Sequence, residues 1–245
     1  FIPLGALLLE LPTTIRSGRC AFGSEEGAVK PATLSTASEA FIYQASSNEH
    51  VFGGAVEGKG GGKQTKPDTI GWGCLSDEQK TIGAGVKWFW QLHPKSVELT
   101  AGGMVRVGLY PSRHREPLNI YTGVARTHEV RLHFGTGAMD IDKLKSTFAG
   151  LQQPLRPFAN PKWYCRDTHA LGDYCEAGGD ELYGPFAGKV AKFDEAFESA
   201  NRRCQACRDS RTIKGVSTDS YGFLGFGDSV HHVWTPGVNT PENIA

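Results

Sequence analysis

Between residues 106 and 133 the chain carries Arg106, Arg113, Arg115, Arg126 and Arg131, with His114, His128 and His133 among them, against only Glu116 and Glu129. Guanidinium groups pair carboxylates through two parallel hydrogen bonds, and imidazole exchanges protons near neutral pH. The set therefore suits an anionic small molecule or an acidic polysaccharide. The competing reading is a solvated strand face with ordinary charges. Cys165, Cys175, Cys204 and Cys207 are a second group, since zinc takes four thiolates in a tetrahedron. The long gap between Cys165 and Cys175 is unlike a zinc knuckle, and Cys204 falls on the apolar side of a helical pattern. Reduced, packed thiols are the better expectation. Gly53 to Lys59 has the GxxxxGK spacing of a phosphate loop, but residue 60 is Gly where Ser or Thr is needed, and Lys66-Pro67 stands where a helix should run. A glycine-rich hairpin loop through residues 58 to 63 is expected instead.

The elements that must position these groups are strands in the first part of the chain. Short segments rich in branched and aromatic residues recur between Gly, Ser, Asn and Pro clusters through residues 1 to 150, as a sandwich or barrel requires. Val97 and Leu99, then Val105, Val107 and Leu109, alternate around Ala101-Gly102-Gly103, which predicts a hairpin of Ser96 to Thr100 and Met104 to Tyr110. In Thr127 to Phe134 the same period puts His128, Val130, Leu132 and Phe134 on one face and Thr127, Glu129, Arg131 and His133 on a wet one. Val86, Trp88 and Trp90 share a face by the same rule. Core packing is the better reading of those tryptophans, and sugar stacking the sharper one.

From residue 151 the pattern changes. Pro154, Pro157 and Pro161 punctuate a connector, and apolar positions 190, 193, 197, 200, 204 and 207 predict a helix from about 187 to 209. Two parts are expected: a β-domain over 1–150, and a connector with the beginning of a helical domain over 151–245.

Composition narrows the function classes. The 245 residues hold 26 basic and 26 acidic side chains, so no net positive field draws the chain to nucleic acid. An apolar fraction of 39% with a mean hydropathy of −0.32 describes a chain that buries a core. No run approaches the roughly 20 apolar residues of a membrane-spanning helix. Ile2 to Leu11 is interrupted by Pro3, Gly5 and Glu10, and has neither the basic start nor the cleavage site of a signal peptide. Because residue 1 is Phe, we expect sequence to be missing upstream.

The run Val86-Lys87-Trp88-Phe89-Trp90-Gln91-Leu92-His93-Pro94-Lys95-Ser96-Val97-Glu98-Leu99, then Val107-Gly108-Leu109-Tyr110-Pro111, then Arg126-Thr127-His128-Glu129-Val130-Arg131-Leu132-His133-Phe134, resembles the exo-acting rhamnogalacturonan lyase family of polysaccharide lyases. Lys162-Trp163-Tyr164, Ala170-Leu171-Gly172, Tyr221-Gly222 and Phe226-Gly227-Asp228 continue the likeness in the same order, over most of residues 86 to 234. The cysteines around Trp163 to Cys175 and the glycine-rich loop depart from it. The resemblance implies an antiparallel β-sandwich, the central domain of such proteins, handing over to the start of a C-terminal α/α toroid.

It also implies β-elimination on a uronic-acid-containing pectic polysaccharide. The C5 proton of a uronate is removable only once its carboxylate is neutralised, so a neutraliser, a base and an acid must converge. Arg126 is the candidate neutraliser, His128 the base or acid, and Tyr164 or His169 its partner, with Tyr221, His231 and His232 in reserve. His128 has a plainer reading as a satisfied structural histidine, Tyr164 as packing beside Trp163. No cofactor is called for; a calcium ion is compatible with the substrate class but is not indicated by any motif. The partner is an acidic polysaccharide or oligosaccharide, with no nucleic acid and no membrane, and the substrate class points to a secreted or periplasmic setting. The alternative is a non-catalytic carbohydrate-binding or architectural sandwich. We expect this length of chain to be inactive alone, for want of the rest of the helical domain.

Overall fold

The computed structural model describes residues 2–23, 29–35, 38–46, 49–56, 71–120, 125–170, 172, 183–209, 212–213, 216–217 and 221–223. The described residues divide into two units: the first holds residues up to Pro154 together with Tyr221–Phe223, the second most of what lies between.

The first unit is an antiparallel β-sandwich. One sheet places β2 (Leu7–Pro12), β10 (Met104–Tyr110), β9 (Lys95–Thr100), β5 (Glu39–Ser46) and β6 (Glu49–Gly54) side by side in that order. The other runs β12 (Val130–Thr136), β8 (Lys80–Val86), β7 (Trp72–Ser76), β3 (Arg19–Gly23) and β4 (Val29–Thr33). A separate short pair joins β1 (Ile2–Leu4) to β11 (Leu118–Ile120). Period-two alternation builds the core: Ala40 and Ile42 of β5, Val97 and Leu99 of β9, and Val105 and Val107 of β10 meet Phe22, Leu75, Ala84 and Val86 of the facing sheet. The expected hairpin is present, with Met104 opposite Thr100 and Gly108 opposite Ser96. Gly103 in its turn has φ +82, and a Cβ there would meet the Ile15 and Thr13 carbonyls at 2.5 and 2.7 Å, so the position requires glycine.

A helix that the sequence reading left out, α1 (Ile141–Gln152), covers the outer face of the second sheet. Asp140 caps it by accepting from Lys143 N–H, and Leu144, Phe148 and Leu151 are its buried side. Phe148 stacks on Trp72 at 5.3 Å and 11°, and Leu144 joins them over Ala21 and Cys74. This is why β7 is buried on both faces. On the face expected to be wet, Arg131 is exposed while donating to the Thr147 carbonyl at 2.6 Å, and His133 is half-buried and packs toward Phe148; Leu132 and Phe134, expected on the apolar face, are exposed as well.

Trp88 and Trp90 are not strand residues. The chain leaves β8 at Val86 and turns through 87–92, with Trp88 at φ +53 and partly exposed, so the buried aromatic of the segment is Phe89. Gln152 at the end of α1 braces this turn, accepting from Trp88 N–H and donating to the Val86 carbonyl.

In the second unit a π-type helical turn spans Trp163–Asp167. The predicted helix follows as α2 (Ala187–Asp209), with Phe193 and Phe197 of its apolar stripe exposed. A two-residue ribbon pairs β13 (Thr212–Ile213) with β14 (Val216–Ser217). Among the described residues no helix is long and apolar enough to cross a membrane. The glycine-rich loop through residues 58 to 63 lies outside the described residues.

Candidate functional site

The arginines of residues 106 to 133 do not form one strip. Arg106 bonds Glu10 at 2.7 Å and Glu98 at 3.2 Å, and Arg113 bonds Glu39 at 2.7 Å and Glu98 at 3.2 Å. Register explains the arrangement: Glu10, Arg106, Glu98 and Phe41 stand in one row across β2, β10, β9 and β5. Glu98 is buried, accepts also from the Ser96 hydroxyl, and the Arg113 guanidinium lies 3.7 Å over the Phe41 ring. Three carboxylates from other strands thus neutralise two of the five guanidinium groups on the outer face of the first sheet. Arg131 is spent on α1, on the other sheet.

Arg126 and His128 are in a different place. They precede β12 in the irregular segment 125–129, so His128 is not the strand residue the alternation suggested. It lies at the end of the sandwich, in a cluster the sequence reading did not assemble. Lys95 is fully buried there, because it continues the inward parity of Val97 and Leu99, opposite buried Gln44. Its Nζ donates to the carbonyls of Leu92 at 2.6 Å, Leu109 at 2.7 Å and Pro94 at 3.3 Å. Burial pulls the Lys95 ammonium down to about 7. Three carbonyl oxygens matched to its three protons hold the charged form against that pull.

Phe223 covers this ammonium, with Nζ 4.7 Å from its ring centre, and the same ring lies 4.9 Å from His128 and 5.6 Å from Tyr110. Tyr110 donates to the Glu116 carbonyl, and His114 shares a 2.9 Å hydrogen bond with the Tyr43 hydroxyl. Burial, then the charges of Lys95 and Arg126, push the His128 imidazole down to about 4. Neither His128 nitrogen has a hydrogen-bond partner among the described residues. Burial also lowers His114 and raises Tyr110. At neutral pH the cluster therefore presents an unprotonated imidazole beside the Arg126 guanidinium and a Lys95 amine close to its own midpoint.

Tyr164 and His169 belong to the second unit. The Tyr164 ring meets Trp163 edge-on at 5.0 Å, and the chain folds back so that Ala170 N–H donates to the Tyr164 carbonyl, with His169 at φ +50 and exposed. Tyr221, held in reserve by the sequence reading, packs in the first unit against Trp90 at 4.5 Å. His231 and His232 lie outside the described residues. Sequence reasoning missed Lys95 and Phe223. The signal for Lys95 was its parity with Val97 and Leu99; Phe223 had none, because only the fold returns it to the sandwich.

Among the described residues no group of three or more His, Cys, Asp or Glu side chains is placed to hold a metal ion. Cys20 and Cys74 are buried and free, and Cys165 is free and partly exposed. Cys175 and the side chains of Cys204 and Cys207 lie outside what the structure describes. A cleft of about 270 Å³ lined by Arg19, Cys20, Pro31, Met139 and Ile141 shares no residue with the cluster. Compared with known proteins, the chain matches no family model and no curated protein.

Proposed function

We propose that the chain is part of a polysaccharide lyase-like protein that carries out β-elimination on a uronate, with Arg126 neutralising the carboxylate and His128 moving the proton. The observation that carries this reading is the grouping of His128 with Lys95 and Arg126 at one end of the sandwich, with both imidazole nitrogens buried and unbonded among the described residues. An imidazole at about 4 is a weak base, but a bound carboxylate would offset the charges of Lys95 and Arg126, the causes that follow burial, and so raise it. The base would then gain strength only when substrate is present. In the reaction the base takes the C5 proton, the C–H electrons form the C4–C5 double bond, and the C4 oxygen leaves and is protonated. Rhamnogalacturonan as substrate, and the α/α toroid beyond the sandwich, rest on the family resemblance.

A second reading has its own support. Lys95 is satisfied by the sandwich itself and His128 is covered by Phe223, as in an architectural module whose polar end is sealed. Incubating the longest natural form that carries this chain with rhamnogalacturonan separates the two. Ultraviolet absorbance of the unsaturated uronate, lost in Arg126→Ala, supports elimination; binding without absorbance supports the module; neither binding nor absorbance overturns both.

A further inference from the structure

We propose that two copies of this chain join edge to edge, β2 of one pairing antiparallel with β2 of the other about a two-fold axis at Leu9. The inference stands apart from the uronate reading.

The two sheets of the sandwich end together on one flank. Across the sandwich β10 meets β8, β9 meets β7 and β5 meets β3, so the next strand of each sheet, β2 and β12, borders the same side. There, residues of core-facing parity are left uncovered. Leu9 and Leu11 stand opposite the core residues Val107 and Val105, and Leu132 opposite the core residue Ala84, with Phe134 next on its face. Leu11 packs against the core, yet Leu7 and Leu9 are each 40% exposed and Phe134 is 64% exposed. The apolar inner face therefore continues beyond the point where the sandwich covers it, and an uncovered apolar patch of this kind marks an interaction surface.

The backbone fixes what kind of group covers it. Among the described residues β2 pairs with β10 on one side and with no strand on the other, which leaves a row of N–H and C=O groups open to a further strand. The edge strand β4, on the other flank, is different: it carries Lys30 and Pro31, a charge and a residue without N–H, both of which blunt an edge. Leu7–Leu11 has neither device, and its single charge, Glu10, is neutralised by Arg106 at 2.7 Å. A second β2 suits this edge in one register. An axis at Leu9 sets Leu9 against Leu9, Leu7 against Leu11, and Leu8 against Glu10 of the second copy, so leucine meets leucine on the inner face and no two carboxylates oppose each other. A shift one way would set Glu10 against Glu10, and a shift the other way would set Leu11 against Gly5. The chosen pairing merges two five-stranded sheets into one continuous sheet, with Leu132 and Phe134 of both copies bordering the joint.

The test is sedimentation velocity of the full 245-residue chain over a concentration series, with the folding of each variant checked by circular dichroism. We expect a concentration-dependent dimer. Leu9→Lys sets two ammonium groups against each other on the axis and should raise the dissociation constant about a hundredfold. Leu8→Lys sets each new ammonium opposite Glu10 of the second copy and should lower it about threefold. A monomer at every concentration overturns the proposal, as does a dimer that Leu9→Lys leaves intact, which would be held by another surface. A Leu8→Lys dimer weaker than wild type overturns the register. Should Leu9→Lys fail to fold, hydrogen exchange in the wild type decides: amide protection across Leu7–Leu11 that rises with protein concentration supports the pairing, and protection independent of concentration overturns it.

Discussion

The ring of Phe148 stacks on Trp72 with centroids 5.3 Å apart and planes 11° from parallel, and this contact joins α1 to the outer face of a sheet. Gly85 makes it possible, since a Cβ there would meet Phe148 at 2.3 Å. Phe148→Ala removes a buried aromatic from both partners, and we expect a loss of about 3–5 kcal/mol in urea unfolding. Gly85→Val should destabilise by overpacking at the same contact. A loss under about 1 kcal/mol for Phe148→Ala would mean that α1 is not fixed to the sheet.

Glu98 holds two guanidinium groups while itself buried, so its removal leaves Arg106 and Arg113 without their common partner. We expect Glu98→Ala to cost roughly 2–3 kcal/mol, below the figure for a fully buried pair because both arginines reach water. Arg106→Ala should cost less than Glu98→Ala. Thermal melts of the two variants check the order, and the reverse order would contradict the arrangement.

His128 gives stability a pH dependence whose sign is fixed. Its folded pKa, about 4, lies below its ordinary 6.5, so between these values the unfolded chain binds a proton that the folded one does not. Its contribution is complete above 6.5 and is lost as pH falls toward 4. His114 and His133 are lowered too and act in the same direction. Urea midpoints measured across this window should fall with acidification, and less steeply in His128→Gln. Identical slopes in the two proteins would contradict the half-buried, neutral imidazole.

The thiols should differ in reactivity. Burial pushes Cys20 up to about 11 and Cys74 higher still, whereas Cys165 is partly exposed. Brief alkylation followed by peptide mass spectrometry should label Cys165 in the native protein and reach Cys20 and Cys74 only after denaturation. Native labelling of Cys74 would place it outside the core.

Local signals made part of this legible. Alternation around Ala101-Gly102-Gly103 is a hairpin signature that acts within a few residues, and the spacing of 190, 193, 197 and 200 does the same for α2. α1 escaped because its apolar side is only Leu144, Phe148 and Leu151, which a search for strands passes over, although Asp140 was a capping signal. The tryptophans misled because a turn at 87–92 ends the period of two. The site was less legible for a physical reason: Glu10 and Glu39 stand 96 and 74 residues from the arginines they neutralise, and Phe223 reaches His128 only through the fold. Charge counted along a segment therefore overstated the free cations of residues 106 to 133.

His128 is a half-buried, neutral imidazole, and on the proposed function an arriving carboxylate would re-tune it. The most direct measurement is the His128 ring-proton titration with and without saturating galacturonate. The expected result is a pKa of about 4 in the free protein and a clear rise when the uronate is bound. A free value near 6.5, or a value that saturating galacturonate leaves unmoved, would contradict it.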